Sequence, residues 1–175
     1  MTQSELIKRF GDPRGKFAKA NPGWEDANLV YVELPYRMRA SWDGRRVSVC
    51  RVHKDMEDSL VLALEDVYAI ARAEIKRKYG YTQSPDFYDK KTLVYLRWLG
   101  LDVFGGIYSY RVIRGGHTLS THAFGAAIDI DPRRNGMGTK GSLPDWFVGC
   151  FETNGFDWGG NWKRPDPMHF EYTKL

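Results

Sequence analysis

The 175-residue chain has only two cysteines, Cys50 and Cys150. They lie far apart and match no Cys-x-x-Cys spacing, which removes zinc-ribbon and dithiol redox designs. Buried free thiols are expected, with a single disulfide left open. No apolar run is long enough to span a bilayer, and Met1 to Phe10 lacks the apolar centre of a secretory leader. The product is therefore expected to be made in the cytoplasm without a signal peptide, and to insert into no membrane. His-Glu-x-x-His is absent, excluding that common zinc-protease arrangement. Ser120 has no triad around it, so a serine hydrolase is not expected. Lys and Arg exceed Asp and Glu by 26 to 22, but the one dense basic run is Lys76-Arg77-Lys78. It falls at the end of a predicted helix, where positive charge suits the dipole. With basic residues dispersed and no recognition motif, a nucleic-acid partner is not expected. Repeats, low-complexity tracts and linkers are also missing.

What is present is a globular composition: 42% hydrophobic and 14% aromatic residues, enough in this length for one well-buried domain. Residues 1–28, rich in Gly, Pro, Asn and charge, read as an N-terminal arm with one short helix at Gln3 to Phe10. Residues 29–175 read as the functional domain. Leu29 to Leu34 alternate as a strand stopped by Pro35, and Val47 to Val52 form another after the turn at Trp42-Asp43-Gly44. A long helix is predicted from Met56 to Tyr79 with Asp55 as N-cap and Gly80 as stop. A second helix runs from Tyr88 to Leu99. A strand is predicted from Ile107 to Ile113, with Tyr108, Tyr110 and Val112 on one face and Ser109 and Arg111 on the other. Pro144 to Thr153 reads as a helix, followed by an aromatic, glycine-rich loop from Asp157 to Trp162. Strands and helices mix without a βαβ rhythm, so the fold class is α+β, with a small antiparallel sheet and flanking helices.

Two stretches carry the chemistry. Ser120-Thr121-His122-Ala123-Phe124-Gly125-Ala126-Ala127-Ile128-Asp129 leads into a strand with Asp129 and Asp131 on the face opposite Ile128 and Ile130. In Asp166-Pro167-Met168-His169-Phe170-Glu171, His169 and Glu171 oppose Met168, Phe170 and Tyr172. Two neutral imidazoles and a carboxylate are three protein ligands for a catalytic zinc, with the fourth position left for water. His122, Asp129 and His169 supply that set, and Asp166 is placed to be the base that takes the water's proton. On strand logic alone Asp131 could replace Asp129, and Glu171 rivals Asp166. Glu171 fits better as the group that orients a ligand histidine through its other nitrogen.

The Ser-x-His-x-x-Gly-x-Ala-x-Asp pattern, with an acidic residue three places before the second histidine, resembles the D-alanyl-D-alanine carboxypeptidase and L-alanyl-D-glutamate endopeptidase family of zinc peptidases. The similarity runs from about Val52 to Tyr172. It implies a Hedgehog/DD-peptidase-like fold, Zn2+ on His122, Asp129 and His169, Asp166 as catalytic acid/base, and Arg111 as the arginine that contacts substrate. It also implies peptidoglycan stem peptides as substrate, in the manner of a bacteriophage lysin, with action on the wall after release by another system. Asp166, the small size and the missing leader favour the endopeptidase over the carboxypeptidase, and a monomer is expected. A zinc-stabilised wall- or protein-binding module without catalysis is the alternative of a different class. His53 is expected as a cap or supporting hydrogen-bond partner, and His117 as solvent-exposed. Trp158 and Trp162 are expected in the core or along a groove, and Ser120 and Thr121 are weak candidates for substrate hydrogen bonds.

Overall fold

Thr2 opens the first helix, α1 (Gln3–Phe10), with a capping box: its hydroxyl accepts from the Glu5 amide, and the Glu5 carboxylate accepts from the Thr2 amide. The computed structural model describes residues 1–174. Helix α1 turns Leu6 and Phe10 inward, and α2 (Pro22–Asn28), capped by Asn21, turns Trp24 inward. All three side chains join the buried cluster that forms the core of the following residues. The Trp24 indole N–H donates to the Phe10 carbonyl at 2.8 Å, tying the two helices together.

Strand β1 (Leu29–Ala40) runs through Pro35 instead of stopping there. It pairs antiparallel with β2 (Arg46–His53) from Leu29 to Glu33, slips, and resumes at Met38. The proline lies in the slipped stretch, where no ladder bond is asked of its missing N–H. Asp55 is not the cap of the long helix. The Asp55 amide donates to His53 Nδ1 at 3.2 Å, and a short 3-10 turn leads into α3 (Glu57–Tyr79). Leu60, Leu64, Val67 and Ala71 recur at helical spacing and join this helix to the core beneath the sheet. Helix α4 (Pro85–Leu99) begins earlier than Tyr88 because Ser84 accepts from the Phe87 amide and Pro85 fits the first turn.

The predicted strand at Ile107 to Ile113 is the clearest misreading. The strand is β3 (Val103–Gly106), and the later stretch makes only one isolated bridge, Val112 to Leu119. Gly105 lets β3 lie tight on its neighbour, since a Cβ there would meet Asp129 Cβ at 2.7 Å. Gly106, at φ +120°, then turns the chain out of the sheet. The alternating tyrosines have a different cause: Tyr108 and Tyr110 pack half-buried on the core, and the Tyr108 hydroxyl donates to Glu25.

The remaining elements are β4 (Ala127–Ile130), α5 (Asp145–Thr153), β5 (Phe156–Trp158) and β6 (His169–Tyr172). The six strands lie in the order β2-β1-β3-β4-β6-β5, all neighbours antiparallel except β1 and β3. The α+β expectation holds, with one parallel pair added. Met168 precedes β6 and does not share the core face of Phe170 as expected. Phe170 packs on Phe151 at 4.5 Å between ring centres, with Phe147 and Trp158 beside it. That aromatic layer fixes the back of the sheet, so the opposite face of β4 and β6 is held at a set height. Among the described residues no helix is long and apolar enough to cross a membrane.

Candidate metal centre

His122 lies on a 3-10 turn, Thr121–Phe124, just before β4. Ser120 starts the turn by accepting from the His122 amide at 3.3 Å, and Gly125 ends it in the left-handed region at φ +66°. A side chain at Gly125 would strike the His53 amide at 2.9 Å, so the turn can sit tight against β2. Asp129 and His169 face each other across the β4–β6 ladder. Directly opposite residues share a face of a sheet, which brings both side chains toward His122.

Three atoms then converge. His122 Nε2 lies 3.2 Å from Asp129 Oδ1 and 3.1 Å from His169 Nδ1, and His169 Nδ1 lies 3.0 Å from Asp129 Oδ1. The other nitrogens decide what these atoms carry. His122 Nδ1 donates to the Ile107 carbonyl at 2.7 Å, leaving a lone pair on Nε2. His169 Nε2 faces Glu171 Oε2 at 3.7 Å, leaving Nδ1 free to act as an acceptor. Three acceptors in a buried triangle repel one another unless a proton or a cation sits among them. Tetrahedral ligands about 2.0–2.1 Å from a zinc stand roughly 3.3 Å apart, so the triangle is close to the size such an ion requires. The donor set, two imidazoles and a carboxylate, suits a divalent transition metal with an open position. His122, Asp129 and His169 therefore could hold a metal ion.

Without a cation the proton takes its place. Burial alone would lower His169, but its contacts with Asp129 and Glu171 outweigh that and push it up to about 9. Burial likewise opposes ionisation of Asp129, yet the contacts with His122 and His169 hold it well below the usual carboxylate range. Glu171 follows the same logic: burial resists, while His169 and the Thr121 hydroxyl, donating at 2.8 Å, bring it to about 2. Thr121 spends its hydroxyl proton on Glu171, while Ser120 accepts from the His122 amide, and both line the groove onto which the triangle opens. Asp131 is held apart from the triangle: it is buried, takes a left-handed φ of +44° and accepts from Arg134.

The triangle opens onto a groove of about 1060 Å³ that Arg111, Arg114, Trp162, Asp166 and Asp157 also line. Asp166 is buried, and its Oδ1 has no hydrogen-bond partner among the described residues. Burial raises it above the usual carboxylate range, with the Asp129 charge adding to the rise and His169, His122 and Arg111 opposing it. Its backbone is fixed on both sides, since its amide donates to the Gly159 carbonyl at 2.8 Å and its carbonyl accepts from His169 at 3.0 Å. A side chain at Gly159 would meet that carbonyl at 2.6 Å, which explains the glycine.

Arg111 is exposed on the loop that leaves β3, where the Ser120 amide donates to its carbonyl at 3.0 Å. His117 is exposed on the same loop. His53 is buried, its Nε2 donating to the Phe10 carbonyl at 3.3 Å, and burial keeps it neutral. The two tryptophans divide the expected roles: Trp158 packs on Phe170 in the core, while Trp162 lies against His169 at 5.3 Å and walls the groove. Sequence reasoning missed the Ile107 carbonyl, because a backbone acceptor leaves no signature in residue type. The Thr121–Glu171 pair was equally hidden, being brought together only by the fold.

Residues 114–172 match the family model described as D-alanyl-D-alanine carboxypeptidase. The match is consistent with the resemblance and supports a peptidase-type role. It spans His122, Asp129, Asp166 and His169 but stops short of Arg111. Neither a curated protein nor a solved structure gives a significant match.

Proposed function

We propose that this chain is a zinc-dependent peptidase that hydrolyses peptidoglycan stem peptides, as an L-alanyl-D-glutamate endopeptidase of the lysin type. The observation that carries the reading is the convergence of three lone pairs within 3.2 Å of one another, in a groove that also holds the unpartnered carboxylate oxygen of Asp166. A pure binding module has use for the first and none for the second.

His122, Asp129 and His169 would hold the zinc, which when bound would supply Lewis acidity toward a carbonyl and make a water easier to deprotonate. Asp166 takes the proton from the attacking water and returns it to the leaving amine. Its raised affinity for a proton suits both halves of that task, since a strongly acidic carboxylate would be a poor donor. Glu171 orients His169, and the Ile107 carbonyl orients His122. Arg111 offers a planar fork to a substrate carboxylate at the rim of the groove.

The carboxypeptidase reading stays beside it because the family model that matches bears that description. The deciding experiment measures metal content and release of peptides from purified peptidoglycan, with chelator and zinc add-back. Mass spectrometry of the muropeptides then identifies the bond. Chelator-sensitive release of stem peptides that begin at D-glutamate, with L-alanine left on the glycan, supports the endopeptidase, loss of a terminal D-alanine supports the carboxypeptidase, and zinc without turnover supports the binding module.

A further inference from the structure

Strand β5 carries Asp157 directly opposite Glu171 on β6, and β6 carries His169 two residues before Glu171. Opposite residues, and residues two apart along a strand, share one face of a sheet. Asp157 therefore stands on the metal-ligand face, one strand beyond the triangle. The parity is independently visible next door: Trp158 pairs with Phe170, and their rings stack on the opposite, buried face. Asp157 is exposed, lines the groove, and has no ion pair or side-chain hydrogen bond among the described residues.

That placement is unfavourable for the fold alone. Like charges directly opposite each other across a ladder destabilise a sheet. Glu171 is offset by Thr121, His169 and the N-terminal ammonium of Met1 at 3.3 Å, whereas Asp157 has no such offset among the described residues. The same groove is lined by Arg111 and Arg114, two exposed cations that likewise make no ion pair among the described residues. Among the described residues the groove thus carries two unpaired cations on the loop that leaves β3 and one unpaired carboxylate on β5, the Met1 ammonium being taken up by Glu171.

We propose that Asp157 is a specificity-determining residue that receives a cationic side chain of the substrate, the free amine of the diamino acid in the peptide stem. The arginines take a carboxylate of the same peptide, so the groove selects a substrate with opposite charges on its two sides. This rests on the peptidase reading given above and adds to it which chemical class of stem is preferred.

The test uses two synthetic stem peptides that differ only in whether the diamino side chain is free or acetylated. Zinc-loaded protein should hydrolyse the free-amine peptide with about fivefold higher kcat/KM, the scale of an exposed charge pair. The preference should sit in KM, shrink in high salt, vanish in Asp157→Asn and reverse in Asp157→Lys. Equal kcat/KM for the two peptides with the unmodified chain, or a preference unchanged in Asp157→Asn, overturns it. If neither peptide is cut, the peptidase reading fails by itself, and calorimetric titration of the same two peptides judges Asp157. Tighter binding of the free amine, lost in Asp157→Asn, then supports the inference, and equal or absent binding overturns it.

Discussion

The Nδ1–H of His122 donates to the carbonyl of Ile107 across 2.7 Å, and this one bond decides which ring nitrogen faces Asp129 and His169. The acceptor is main chain, so no side-chain substitution nearby removes it. Nitrogen NMR of the histidine side chains should find the Nδ1–H tautomer of His122 both without metal and with it. An Nε2–H tautomer in the metal-free chain would contradict the arrangement.

Glu171 tests the support behind the ligands. Glu171→Gln removes the charge facing His169 Nε2 while keeping the shape. Such supporting partners are worth about 10–100-fold in metal affinity, a loss that competition with a chromophoric chelator would measure. His122→Ala should abolish stoichiometric binding.

Asp166 tests the chemistry. Asp166→Asn should keep the metal and lower kcat by about 10²–10⁴-fold, the usual weight of a general acid–base group. In the unmodified chain burial raises this carboxyl, so the base form is lost as pH falls through a value above the ordinary aspartate range. The acid limb of kcat/KM should lie correspondingly high and should vanish in Asp166→Asn.

The cysteines make a prediction that is independent of function. Cys50 and Cys150 are free and buried, and burial pushes their thiols up to about 12 and about 11. Raised values favour the folded state while both thiols stay protonated, and that benefit falls away as pH climbs past the ordinary thiol range of about 8.5. At pH 8 a thiol reagent should label neither cysteine in folded protein and both in denaturant.

Phe170 tests the layer behind the site. Truncation of a buried phenylalanine costs about 3–5 kcal/mol. Phe170→Ala should lower stability by that order in denaturant titration, because Phe147, Phe151 and Trp158 lose their common partner.

How much of this was legible depended on whether a feature was local. The helices at Gln3, Glu57 and Asp145 follow from spacing, and the strands of Asp129 and His169 follow from alternation. The motif residues do meet, because strand parity and one turn at Gly125 are enough to bring them together. Pro35 misled because a slipped register tolerates a proline that a regular ladder rejects. Ile107 to Ile113 misled because a period of two also arises when tyrosines pack on a core from a loop. Asp157 looked like loop filler. Only its register opposite Glu171 gives it a direction, and register between distant strands is not written in either strand alone.

That register has a kinetic side. Asp129 and His169 keep their spacing through the β4–β6 ladder, where Ala127, Ile128 and Asp129 pair with Glu171, Phe170 and His169. Separating those two ligands means opening the last strand. Besides direct escape into the groove, an ion held between them is lost whenever that ladder opens, so conditions that speed amide exchange along β6 should also speed dissociation of the metal.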